Sequence, residues 1–190
     1  MKRLLRTFLR RYARGEARAL APHVSGRRLL DLGAGEGWVA AALRGLTLTW
    51  TCSVDVGPFQ LGHGPFVLYD GATLPFRDGA FDTTLLSLAL HHCEAPEAVL
   101  DEAVRVTRSR LLIVESVYRN SYERFCLDVL DGRLNGYRHD GTMNVPLAFR
   151  RPEEWRALFE SRGLRLITMQ WLGSRVERLI HHPLLFVMNK

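Results

Sequence analysis

Cysteine is scarce in this sequence: Cys52, Cys93 and Cys126 are the only three, odd in number and far apart. No Cys-x-x-Cys pair occurs, so neither a disulfide framework nor a cysteine-held zinc site is expected. That usage fits a reducing cytoplasm. Long hydrophobic runs are missing as well. No apolar stretch approaches the roughly 20 residues of a membrane span. The basic N-terminal residues are not followed by the uninterrupted apolar segment, ~7–15 residues long, of a secretory signal. Internal repeats and low-complexity linkers are absent, and 190 residues suffice for one domain (residues 1–190) with a full-sized core. Acid is short in one place. Residues 1–20 hold Lys2, Arg3, Arg6, Arg10, Arg11, Arg14 and Arg18 against the single acid Glu16. That segment accounts for the whole formal net charge of +6, and the remainder of the chain is formally neutral.

What is present alternates. In residues 1–20, Leu5, Phe8, Leu9, Tyr12 and Leu20 recur at helical spacing among arginines, an amphipathic helix. "RRLLDLG", "TLTWTCSVDV", "PFVLYD", "FDTTLLSLAL" and "RLLIVESV" read as five successive strands. "WVAAALRGL" reads as a helix ending near Gly45, and "APEAVLDEAVRVTR" as another. "GPFQLGHGP" carries too many helix breakers to be one. Within residues 118–149, "YERFCLDVLDGRL" suits a helix, followed by loop-like sequence. "PEEWRALFESRG" has proline and acids in its first turn and glycine at its end, and two strands, "LRLITMQWL" and "HPLLFVMNK", close the chain. The alternation predicts an α/β fold: an open, mostly parallel sheet. Ligands of such sheets bind beyond the C-terminal ends of the strands.

Four strand exits carry candidate site residues. The first is Asp31 followed by Gly33-Ala34-Gly35-Glu36-Gly37, a turn that a ligand can approach without a Cβ in the way, leading into a helix N-terminus. A dinucleotide fingerprint would need a third glycine at position 38, which is Trp38. Asp31 would also repel a pyrophosphate and suits a ligand with an ammonium or sulfonium group. The second exit is Asp55-Val56, where a carboxylate can accept both hydroxyls of a ribose. The third is Asp70-Gly71, an acceptor for an exocyclic amine beside room for a flat base. The fourth is Ser87, with His91 and His92 following.

In this order, "LLDLGAGEGW", "SVDV", "YDGATLPFRDGAFDTTLLSLALHHCEAPEAVLDEAVRV", "RLLIVES" and "FRRPEEWRALFESRGLRL" resemble the class I S-adenosylmethionine-dependent methyltransferases, within the ubiquinone/menaquinone-type small-molecule group. The resemblance covers about residues 27–116 and 150–168. It implies a Rossmann-like sheet of seven strands with the last antiparallel and helices on both faces. It places the methionine end of S-adenosylmethionine at Asp31, Gly33, Ala34, Gly35 and Gly37. The ribose falls at Asp55, the adenine at Asp70 and Gly71, and a backbone contact near Ser87, with Val56 a further cofactor-binding residue. The implied reaction is in-line displacement of the methyl group onto a small or lipid-like acceptor, with no metal. Two departures stand out: "GPFQLGHGP" replaces the helix usually joining the second and third strands, and "RVTRSRLL" lacks the usual proline and paired glycines before the fifth.

Several roles stay open. No catalytic residue is singled out. If the acceptor must lose a proton, His91, His92, Tyr118, Tyr122 and His139 are candidate bases, with a structural role favoured for the double histidine. Asp31, Asp55 and Asp70 can each also serve as a turn or cap residue. Cys93 reads as a small buried side chain. The basic helix has three readings: a cover over the cofactor or acceptor mouth, an interfacial helix drawn to anionic lipid, or a nucleic-acid arm. Residues 118–149 are the variable lid expected to meet the acceptor, with Tyr118, Tyr122, Phe125, Tyr137 and Phe149 among Arg119, Arg124, Arg133 and Arg138. A rival reading is a fold relative without catalysis that binds membrane or nucleic acid through residues 1–20.

Overall fold

Leu29 and Leu30 are chain neighbours, and both are fully buried. Successive side chains of a strand point to opposite faces, so that strand must be covered on both sides. The computed structural model describes residues 2–62, 64–138, 147–173 and 182–190. It places β1 (Arg28–Leu32) near the middle of a seven-stranded sheet with β2 (Trp50–Asp55), β3 (Phe66–Leu68), β4 (Phe81–Ser87), β5 (Thr107–Ser116), β6 (Arg165–Trp171) and β7 (Pro183–Asn189). The order is β3-β2-β1-β4-β5-β7-β6. β1 to β5 pair in parallel, and β7 runs antiparallel to both β5 and β6. The last strand alone is reversed, as the family resemblance implies.

Both faces are sealed by helices. On one face, Leu29, Leu85, Leu112, Leu185 and Val187 pack with Ala17 and Leu20 of α1 (Lys2–Leu20) and Leu43 of α2 (Trp38–Thr47). On the other, Leu30, Leu86, Ile113 and Phe186 pack with Leu100 and Ala103 of α3 (Pro96–Val106) and Trp155 and Phe159 of α5 (Pro152–Glu160). Among the described residues, no helix is long and apolar enough to cross a membrane.

Three boundaries differ from the sequence expectation. α2 runs past Gly45 to Thr47, and Leu48, in the left-handed region at φ 55°, takes the terminating role. The Thr47 hydroxyl donates to the Leu43 carbonyl in that last turn. α3 passes into β5 at Thr107 with no intervening turn, three residues before the expected strand start. The Thr107 hydroxyl makes this junction: it donates to the Ala103 carbonyl and lies 2.6 Å from the Thr84 hydroxyl on β4. α4 (Ser121–Arg138) extends the helix expected in the lid region through Tyr137 and Arg138. His63, His139 and His181 lie outside the described residues.

One side chain organises the loop between β3 and β4. Arg105 of α3 donates to the carbonyls of Leu74 and Phe76 and to the carboxylates of Asp78 and Glu102. Glu102 in turn accepts the Leu74 N–H. "LPFRDG" is therefore held from α3, which fixes the exit of β3 beside the site.

Candidate active site

The glycine turn closes by backbone hydrogen bonds: Gly33 and Ala34 both donate to the Val54 carbonyl, and Gly37 donates to Ala34. Gly33, Gly35 and Gly37 all have positive φ, at 72°, 51° and 74°. Two of the three spaces are spoken for. A Cβ on Gly33 would stand 2.7 Å from the Ala89 Cβ after β4, and one on Gly37 would touch Gln60. A Cβ on Gly35 would meet nothing within 4 Å. The turn is thus packed on two sides and open at its middle, where a ligand's backbone approach is possible.

The carboxylates converge on this opening. Asp31 is 2% exposed, and its Oδ2 has no hydrogen-bond partner. Burial pushes its pKa up to about 7, with Glu16 and then Asp55 adding repulsion, while the Ala40 amide of α2 pulls the other way. Asp55 is also buried. It accepts the Gly35 N–H at 2.7 Å through Oδ2 and the Gly57 N–H at 3.3 Å through Oδ1. Each carboxylate oxygen has a second lone pair, so this bracing leaves capacity for ribose hydroxyls.

Asp70 is exposed, and its Oδ1 caps the next turn by accepting Ala72 and Thr73 N–H groups at 2.8 and 2.9 Å. Those bonds hold its pKa below the usual carboxylate range. The turn role weighed for Asp70 is therefore present, with Oδ2 outside both bonds. Gly71, at φ 84°, leaves a Cβ-sized space 3.3 Å from Val56, whose side chain is exposed. Residues 57–62, in place of a helix, wrap back over the turn: Leu61 and Gly62 both donate to the Glu36 carbonyl.

At the fourth exit the chain is strained. Leu88 has φ 54°, an uncommon value for a residue with a branched side chain, and its N–H is held by the Val114 carbonyl. Just before it, the Ser87 hydroxyl donates to a carboxylate oxygen of Glu16. Glu16 is the single acid of the basic segment 1–20. The structure sets it in the inward row Ala13, Glu16, Ala17 and Leu20 of α1, and burial pushes its pKa up to about 7 against the Ser87 hydrogen bond. α1 is further locked to the turn where Arg10 lies 4.0 Å from the ring centre of Trp38, whose Nε1–H donates to Glu36. Trp38, which replaces the third fingerprint glycine, is thus the post to which α1 is fastened.

His91 and His92 follow the exit of β4 in a short 3-10 turn, Leu90–His92. His91 is buried, its Nδ1 2.5 Å from Glu115 Oε2, and Glu115 Oε1 accepts the Leu90 N–H. The His91 ring stacks on Phe149 at 4.7 Å, and its carbonyl accepts the Ala148 N–H. These contacts tie the segment before α5 to β4 and β5, in keeping with the structural role. Cys93 is pushed up to about 12 by burial and by Glu115, which makes it a poor thiolate. Of the lid candidates, Phe149 is packed inward, Tyr122 and Phe125 are exposed, and Arg124 donates to the carbonyls of Leu147 and Phe149. The side chains of Arg133, Tyr137 and Arg138 lie outside the described residues. Among the described residues, no group of three His, Cys, Asp or Glu is placed to hold a metal ion.

A cavity of about 750 Å³ opens beside this cleft, between α1 and the end of β6. Phe8, Tyr12 and Glu16 line one side, and Gln170, Trp171 and Leu172 the other. No local motif marks residues 170–172, and no described residue of 118–149 lines the cavity.

Comparison with known proteins agrees with this geometry. A family described as a methyltransferase domain matches residues 30–113, from the first strand to the fifth. An uncharacterized methyltransferase of Mycobacterium sp. (strain JLS) is 37% identical over 97 residues, 48% of this chain and 38% of that protein. The demethylmenaquinone methyltransferase of Paenarthrobacter aurescens (strain TC1) is 30% identical over 120 residues, 55% of this chain and 47% of that protein. The chain spans less than half the length of either relative. Among solved structures, a geranyl diphosphate methyltransferase in complex with S-adenosylmethionine superposes with a TM-score of 0.69 at 13% identity, covering 93% of this chain and 84% of the other. Residues 30–113 thus match a methyltransferase-domain family, and the sheet is shared with a solved methyltransferase, in keeping with the class I S-adenosylmethionine-dependent methyltransferases that the strand exits resemble.

Proposed function

We propose that this protein transfers a methyl group from S-adenosylmethionine to a flat, apolar small molecule of the quinol type. The observation that carries the reading is Asp31: a buried carboxylate oxygen without a partner, beside a glycine turn open at Gly35. An unpaired buried acid is costly unless a cationic ligand meets it. In this reading Asp31 receives the ligand's ammonium group, and the Gly33–Gly37 turn lets its chain approach. Asp55 accepts the ribose hydroxyls, Val56 and Gly71 flank the adenine, Asp70 accepts its amine, and Ser87 lies beside the reacting end. When bound, S-adenosylmethionine supplies a methyl group already activated by a sulfonium leaving group. The protein's work is then to hold an acceptor in line and exclude water.

The cavity between α1 and β6 is the acceptor site in this reading. Its walls of Phe8, Tyr12, Trp171 and Leu172 suit a planar ring. The demethylmenaquinone methyltransferases among the relatives support a quinol as that ring. The inward-facing Glu16 and the Arg10–Trp38 contact support α1 as the cover of the site rather than a membrane or nucleic-acid arm.

Thermal-shift titration tests the cofactor, with S-adenosylhomocysteine expected to raise the melting temperature and NAD to leave it unchanged. A shift with NAD alone would overturn the assignment. Incubation with methyl-labelled S-adenosylmethionine and demethylmenaquinol, followed by mass spectrometry of the extract, tests the acceptor.

A further inference from the structure

Glu16 belongs to two spaces at once. Through the Ser87 hydroxyl it touches the cleft at the end of β4, and its side chain lines the cavity between α1 and β6. The place common to both is where a group passing from one to the other must lie. Glu16 also lies near enough to Asp31 to repel its charge. Both acids are more than nine-tenths buried, and Asp31 Oδ2 has no partner.

The groups that face this pair are Asp55 and Cys52 from β2, the Ser87 hydroxyl from β4 and the Ala40 amide from α2. No lysine or arginine among the described residues shifts either acid. Arg10 of α1 is turned to the Trp38 ring, and Arg11, one turn before Gly15, is exposed at the cavity wall. Two buried like charges without a cation do not both ionise at low cost, so the empty pair retains a proton.

We propose that Glu16, paired with Asp31, reads the sulfonium charge and so separates S-adenosylmethionine from its demethylated product. This rests on the reading of the cleft as an S-adenosylmethionine site and goes beyond it by naming the residue that distinguishes cofactor from product. The cationic ligand draws the shared proton off the pair into solvent. Once the sulfur is neutral, the pair again repels itself and takes a proton back, which favours release of S-adenosylhomocysteine. Both ligands carry the ammonium that Asp31 meets, and only one carries the charge that Glu16 meets.

Isothermal titration of the full chain with each ligand, at pH 6, 7 and 8 and in two buffers of different ionisation enthalpy, tests this. The preference for S-adenosylmethionine over S-adenosylhomocysteine is expected to rise by about tenfold from pH 6 to 8, the equivalent of one pKa unit. Proton release should accompany the first ligand more than the second. In Glu16→Gln, whose amide oxygen still accepts from Ser87, S-adenosylmethionine should weaken about tenfold at pH 8 and S-adenosylhomocysteine less than about threefold. A flat preference across pH in the wild type, or equal weakening of both ligands in the variant, overturns the role of Glu16 and leaves the cofactor reading standing. Binding of neither ligand by the wild type overturns both. The wild-type pH series decides the matter even if the variant does not fold.

Discussion

The Asp55 carboxylate accepts the backbone N–H of Gly35 at 2.7 Å, tying the end of β2 to the turn after β1. One side chain thus shapes the cleft and, in the proposed function, also binds in it. Asp55→Ala is expected to weaken S-adenosylhomocysteine binding by roughly 1–3 kcal/mol, the scale of hydrogen bonds lost from a charged acceptor. The melting temperature should fall as well, because Gly35 and Gly57 lose their acceptor. Calorimetric titration beside a thermal melt checks both, and an unchanged affinity would move the ribose elsewhere.

Gly35→Arg should keep the fold and abolish cofactor binding. The space at its Cβ is open, so no packed neighbour is displaced, and the strain comes from the φ of 51° alone. Circular dichroism reports the fold and S-adenosylhomocysteine titration the loss. Affinity retained in this variant would mean that the ligand does not cross the turn.

Stability without ligand should fall as pH rises from about 5 to 7. Burial pushes Glu16 and Asp31 up to about 7, so in that window the folded chain holds protons the unfolded chain has released. His182, held below its ordinary value of 6.5 by burial, works the other way at the acid end. The contrast of wild type with Glu16→Gln isolates the Glu16 contribution, on the order of 3 kcal/mol across its full range. Melting temperatures at half-unit pH steps check it: the wild type should lose ground to the variant as pH rises. A constant gap between the two would refute the shift.

Arg105→Ala should loosen the loop before β4. It removes donors to the Leu74 and Phe76 carbonyls and strands Glu102 beside the Leu74 N–H. Arg105 is partly exposed, so a loss of about 2 kcal/mol is expected rather than the larger cost of a buried pair. Urea unfolding gives the stability, and limited proteolysis near Arg77 gives the loop.

Glu115→Ala should be the more severe change. Glu115 is fully buried and serves both the Leu90 N–H and His91. A loss of about 3–5 kcal/mol is expected, measured by urea denaturation. Glu115→Gln, which can still accept the Leu90 N–H, should lose less.

The parts of the molecule legible in the sequence are those coded by neighbours. Strand and helix periods, the glycine turn and the acids at strand ends each lie within a few residues of the feature they define. That sufficed for an open, mostly parallel sheet with its ligand exits, while the reversed last strand came only with the family resemblance. Glu16 was out of reach because its role depends on Ser87, 71 residues away. A trace of it was present: one acid among seven basic residues, on the helix face shared with Leu9, Tyr12, Ala13 and Leu20. The cavity joins α1 to residues 170–173 across the whole chain, and no local pattern records such a meeting. The direct passage from α3 to β5 was hidden for a similar reason, since Thr107 is fixed by Thr84 on another strand.

The two edges of the sheet bear on how this chain meets others of its kind. β3 is only three residues long and follows Pro65, whose ring offers no donor. β6 is longer, but its pairing slips between Leu166 and Thr168, and Arg165 stands exposed at its start. A short, proline-guarded edge at one end and a kinked, charged edge at the other give a foreign strand no long flat template. Both edges of the sheet therefore discourage pairing with a strand from a second copy of the chain.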